Sequence, residues 1–150
     1  MLKHAIAVGL VFSAPLGAAA KGASDCLSGR REALIAGHFT GPLVCSKEDA
    51  TFALVGRTTG GKYAIYDYRY RYKPEGGNVM HGGQKIVIFR GRSYVGQYAL
   101  SPPPYVDVSI SGTDVLLKVD NHGLETVRLD LSEQPPPSVF VNGETETLYR

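Results

Sequence analysis

The sequence predicts an all-β fold. It is a single antiparallel meander domain, a small barrel or a sandwich, with a short N-terminal helix after a signal peptide. Three observations carry this reading. Turn signals recur about every 8–12 residues from Thr51 onward, the spacing of small β-domains. The stretches between them alternate apolar and polar side chains. The 150 residues include 18 Gly and 9 Pro, and no useful helical period follows residue 40, which argues against a parallel βαβ fold.

The first twenty residues stand apart. Lys3 and His4 form a short positive start, Ala5–Leu16 is an apolar run, and the small residues Ala18 and Ala20 follow at the −3 and −1 positions. This is the three-part pattern of a secretory signal peptide. The run is too short for a bilayer span, which takes about 20 residues. Cleavage is expected after Ala20, with Ala23 as the next choice. Residues 21–150 then form one β-domain, periplasmic or secreted, with no membrane span. The 16 Lys and Arg against 14 Asp and Glu give a net charge of +2. Removing Lys3 leaves +1, which suits neither a polybasic nucleic-acid arm nor an acidic disordered tail. Residues 21–85 carry the excess of bases and residues 86–150 the excess of acids.

Cys26 and Cys45 are the two cysteines. In an exported domain they most simply form one disulfide. Ser28 is placed to cap a short helix over Gly29–Ala36, with Gly37 as its stop; strand over Ala33–Phe39 is the alternative. Strands follow over Thr51–Arg57 and Tyr63–Tyr72, joined at Gly60-Gly61. A Gly-rich connection from Pro74 to Gln84 leads to strands Lys85–Arg90 and Ser93–Leu100, separated at Gly91. Pro102-Pro103-Pro104 makes a corner that cannot donate ladder hydrogen bonds. Tyr105–Ser111 alternates with Val106, Val108 and Ile110 on one face. Val115–Asp120 and Leu124–Leu131 flank the turn Asn121-His122-Gly123. After Pro135-Pro136-Pro137, Val139–Val141 and Thr145–Tyr149 surround Asn142-Gly143, a strong hairpin signal.

The most distinctive segment is Tyr63–Lys73. As a strand it places Ala64, Tyr66, Tyr68, Tyr70 and Tyr72 on one face. Tyr63, Ile65, Asp67, Arg69, Arg71 and Lys73 fall on the other. Such a strand is either half-buried with a solvated outer side, or the floor of a ligand groove that stacks rings on tyrosine and pairs anions with arginine. The candidate ligand-binding residues are Tyr66, Tyr68, Arg69, Tyr70, Arg71 and Tyr72, with His81 from the adjoining Gly-rich loop. Interleaved Arg and Tyr also suits single-stranded nucleic acid, which the export signal and near-neutral charge argue against.

Chemistry-bearing motifs are absent. Met80 and His81 are soft-metal ligand types, but His38, His81 and His122 share no ligand spacing, and no metal or cofactor is expected. There is no G-x-S-x-G elbow, no H-E-x-x-H, no phosphate loop and no EF-hand, so no catalytic residue is expected. Tyr98 and Tyr105 flank the first proline corner, either a turn between sheets or an exposed ridge. Ser111-Gly112, at the end of a strand, is similar to the Ser-Gly loop of bacterial lysozyme inhibitors, small exported β-domains with one disulfide. The likeness covers two residues and the architecture; the Tyr and Gly placements around that loop are absent, and no role is carried over. The sequence thus points to a non-catalytic binding module for an envelope glycan, peptide or protein. A secreted inhibitor of a hydrolase such as lysozyme is the second reading, and a small enzyme the third.

Overall fold

The computed structural model describes residues 26–100, 105–120 and 124–150. The expected signal peptide, the corner at Pro102-Pro103-Pro104 and the turn at Asn121-His122-Gly123 lie outside the described residues. Within them are nine strands: β1 Ala50–Arg57, β2 Ala64–Tyr72, β3 His81–Arg90, β4 Ser93–Leu100, β5 Asp107–Ser111, β6 Asp114–Asp120, β7 Leu124–Asp130, β8 Ser138–Val141 and β9 Glu144–Tyr149. One helix, α1 (Arg31–Ala36), precedes them. The strands form two antiparallel sheets, one ordered β1-β2-β3-β4-β9-β8 and the other β5-β6-β7.

The alternation read from the sequence explains the main core. Ile65, Ile86, Ile88 and Tyr98 from the large sheet meet Val115, Leu117, Val119 and Leu129 from the small one. Two inner faces meeting in this way make a sandwich. At the β8–β9 turn Asn142 (φ 53°) and Gly143 (φ 80°) both adopt left-handed backbone, as a two-residue hairpin loop with the sheet's twist requires.

A second apolar layer covers the other face of the large sheet. Cys26, Leu27 and Leu34 pack with Ala64, Tyr66, Tyr68, Val87 and Phe89, and Phe39 and Leu43 close the edge. The Cys26–Cys45 disulfide is formed and ties the start of this segment to its end. The helix begins two residues later than expected, and Ser28 does not cap it. Leu27, Ser28 and Gly29 all take left-handed backbone, and Ser28 Oγ donates to the Phe52 carbonyl, anchoring the turn to β1 instead. Gly37 does end the helix. A Cβ at residue 37 would lie 2.4 Å from the Tyr94 ring, so only glycine lets the chain pass so close to β4.

The Gly-rich connection is shorter than its composition suggests. β3 starts at His81, and Gly82 and Gly83 pair with Arg71 and Tyr70. Glycine contributes no strand signal of its own. Here the neighbouring tyrosine ring fills the space over Gly83, in which a Cβ would lie 2.6 Å from Tyr70 Oη. Among the described residues, no helix is long and apolar enough to cross a membrane.

Candidate functional site

β2 lies between β1 and β3, so its backbone is paired on both sides. Its even face carries the aromatic series, and neighbouring strands extend it. Phe52 of β1 stacks on Tyr66 at 4.7 Å between centroids and meets Tyr68 at 5.6 Å. Tyr68 and Tyr70 are 4.9 Å apart, Tyr70 and Tyr72 6.2 Å, and Tyr72 and His81 5.8 Å. At the inner end Tyr66 meets Phe89 edge-on at 5.5 Å. Seven rings therefore form one unbroken row.

The row passes from core to surface. Tyr66 is 5 % exposed and Tyr68 is fully buried, both beneath the disulfide-tied segment. The Tyr68 hydroxyl donates to the Pro42 carbonyl and accepts from the Val44 amide. Burial pushes its pKa up to about 12 despite the Val44 amide, which pulls the other way. Tyr70 and Tyr72 are half-buried and His81 is exposed. Burial raises the Tyr70 pKa as well, with Tyr72 adding to it. Beside His81, Val79 and Met80 stand 68 % and 52 % exposed. Of the expected ligand-binding residues on this face, Tyr70, Tyr72 and His81 are open to a partner. Tyr66 and Tyr68 hold the row in place from below.

The odd face is not the solvated ionic stripe that its composition suggests. Tyr63 and Ile65 are fully buried between the sheets. Arg69 Nε binds Asp67 Oδ2 at 2.9 Å, its Nη2 donates to the Val106 carbonyl, and its guanidinium lies 5.1 Å from the Tyr105 ring centroid. Arg71 Nε binds Asp49 Oδ1 at 2.8 Å and its Nη2 donates to the Glu48 carbonyl. Both arginines thus bind acceptors of their own chain, Arg69 fastening the strand that enters β5 and Arg71 the turn that enters β1. A shallow concavity of about 220 Å³ lies over them, lined by Asp49, Thr51, Arg69, Tyr70, Arg71 and Tyr105.

Two buried polar residues on β3 escape the sequence reading. Gln84 donates Nε2 to Asp67 Oδ1 and the Val106 carbonyl, and its Oε1 accepts from the Val106 amide. It is the hub joining the two sheets at this corner. Lys85 is buried opposite Tyr68 in the register, with Nζ 5.7 Å from the Phe39 ring centroid. Burial lowers its pKa, and Glu146 partly offsets this. A Gln and a Lys beside a Gly-rich stretch carry no mark of burial in the sequence.

Among the described residues, no group of three or more His, Cys, Asp or Glu converges as a metal site would require. Ser111 ends β5, paired with Asp114, and Gly112-Thr113 makes the β5–β6 turn, where the Gly112 carbonyl accepts from the Thr59 amide at 2.8 Å. Tyr98 is fully buried, its hydroxyl donating to the Pro136 carbonyl, whereas Tyr105 is exposed. Comparison with protein-family models, with curated proteins and with solved structures gave no match.

Proposed function

We propose that the protein is an exported, non-catalytic binding module that holds an envelope glycan, peptide or protein at the open end of its aromatic row. One observation carries this reading. Seven rings run without a break from the buried Phe89 to the exposed His81. The last rings are therefore held by the core, and a ring already fixed loses little side-chain entropy on binding. Tyr and His present apolar faces with polar edges, which suits sugar rings and peptide side chains alike. Met80 and Val79 add a deformable apolar border.

Pull-down with cell-envelope fractions and a glycan array, comparing the unaltered chain with Tyr72→Ala/His81→Ala, tests the proposal. A retained ligand lost in the double variant, with unchanged thermal stability, is expected. No ligand in either assay, or equal binding by the variant, rejects it.

A further inference from the structure

The opposite end of β2 has a different character. About nine residues from Tyr72, on the order of 30 Å along an extended strand, the chain gathers Arg57, Lys62, Arg90, Arg92 and Arg30. Register and contacts place them together. Arg57 pairs with Ala64 and Ala64 with Phe89, the neighbour of Arg90. Lys62 reaches the ring of Tyr63. Arg92 sits in the β3–β4 turn, and Arg30 Nη1 donates to the carbonyl of Gly91 in that turn.

These cations are held differently from the three arginines that form ion pairs. Arg69, Arg71 and Arg128 each pair with an aspartate. Among the described residues, none of the five forms an ion pair. Arg30 lies 5.0 Å from the Phe89 ring centroid and 5.7 Å from that of Tyr66. Arg90 donates to the Tyr63 hydroxyl at 2.6 Å, and that hydroxyl donates to the Glu133 carbonyl. Lys62 donates to the carbonyls of Ser132 and Glu133. Neutral oxygens and ring faces fix the geometry of Arg30, Lys62 and Arg90 without an ion pair, the condition for charge-assisted binding of an oxyanion.

Two concavities flank the β3–β4 turn. One, of about 330 Å³, is lined by Tyr63, Arg90, Ser93, Gln134 and Arg150. The other, of about 500 Å³, is lined by Ser28, Arg30, Glu32 and Arg92, and Glu32 is its one acid. We infer that this end binds an anionic glycan whose sulfate, phosphate or carboxylate groups enter the concavities on either side of the Arg90–Arg92 turn. A flexible chain with charges at intervals reaches both hollows, whereas a flat bilayer cannot. The rings here are covered by Arg30 and Arg90 and offer no free face for nucleobase stacking, the usual grip on single-stranded nucleic acid.

The site meets the aromatic row only at its buried end, where Arg30 covers Phe89 and Tyr66; it lies away from Tyr72 and His81, so its test is separate from that of the open end. A heparin hexasaccharide serves as the probe in calorimetric titration of the chain from residue 21 onward. Binding is expected at about 50 mM salt, weakening at least about tenfold by about 200 mM as counterions return. Arg92→Glu, in an exposed turn, should weaken it at least tenfold with no loss of thermal stability, and Arg57→Glu should weaken it as well. Arg71→Gln, at the far end, should leave it unchanged. Absence of binding by the unaltered chain overturns the inference, as does equal binding by Arg92→Glu. Binding to phosphatidylglycerol vesicles or to oligo-dT without binding to the hexasaccharide also overturns it, in favour of a lipid surface or a nucleic acid.

Discussion

The phenol ring of Tyr70 lies over Gly83, its direct partner in the β2–β3 ladder, in the space that a side chain at residue 83 would need. A missing side chain on one strand is made good by a large one on the next. The arrangement starts β3 early and aims Tyr70 along the ring row toward Tyr72.

Gly83→Val should therefore displace the Tyr70 ring and cost about 1–3 kcal/mol, the usual range for overpacking. The urea midpoint reads the loss, and the near-ultraviolet circular dichroism of the tyrosines should weaken with it. An unchanged spectrum at unchanged stability would show that the ring is not seated on Gly83.

Gln84→Leu removes the group that meets both polar atoms of Val106 and one oxygen of Asp67. Arg69 still reaches the Val106 carbonyl, so the Val106 amide and Asp67 Oδ1 are the groups that lose a partner. A buried unpaired group costs about 1–3 kcal/mol, and a loss within that range is expected in chemical denaturation. A variant as stable as the parent would mean that solvent replaces the glutamine.

Removing the Cys26–Cys45 link, by Cys26→Ser with Cys45→Ser, frees a loop of 19 positions. The chain-entropy estimate for such a loop is about 3 kcal/mol. The same change should loosen the cover over Tyr66 and Tyr68, so their accessibility to nitration should rise well before global unfolding. Nitration unchanged below the unfolding midpoint would show that packing alone holds the segment down.

Lys85 gives the alkaline stability profile a definite shape. Its folded pKa lies below the ordinary 10.5, so the unfolded chain binds more protons between those values. Stability should rise with pH through that window. Tyr68, raised from 10.0 to about 12, acts in the opposite sense, because between those values only the unfolded chain ionises. Stability should therefore fall above pH 10. Lys85→Met should abolish the rise and keep the fall, as read from urea midpoints between pH 7 and 11. A rise that survives in Lys85→Met would assign it to another group.

The strands were legible because alternation and turn residues are local signals. Val127, Leu129 and Leu131, or Asn142-Gly143, announce themselves within a few positions. The pairing of Cys26 with Cys45 followed from their being the only two. What is long-range was not legible. Period-2 spacing separates the faces of Tyr63–Tyr72 but does not say that residues 26–45 return to cover one of them while the small sheet covers the other. Arg71 meets Asp49 across 22 positions, a distance at which no pattern within the strand points to its partner. His81–Gln84 read as loop because glycine lacks the side chain on which strand signals rest. The sequence treats Tyr66, Tyr68, Tyr70 and Tyr72 alike, because the burial of the first two and the half-burial of the last two depend on contacts made elsewhere in the chain.

Ala64–Tyr68 is paired along both backbone edges and packed above and below. Its amides then have no local route to solvent and should exchange their hydrogens only when the whole molecule opens. That segment supplies an internal clock. Amides elsewhere that exchange faster report partial openings, and the difference in rate gives the free energy of each without any denaturant.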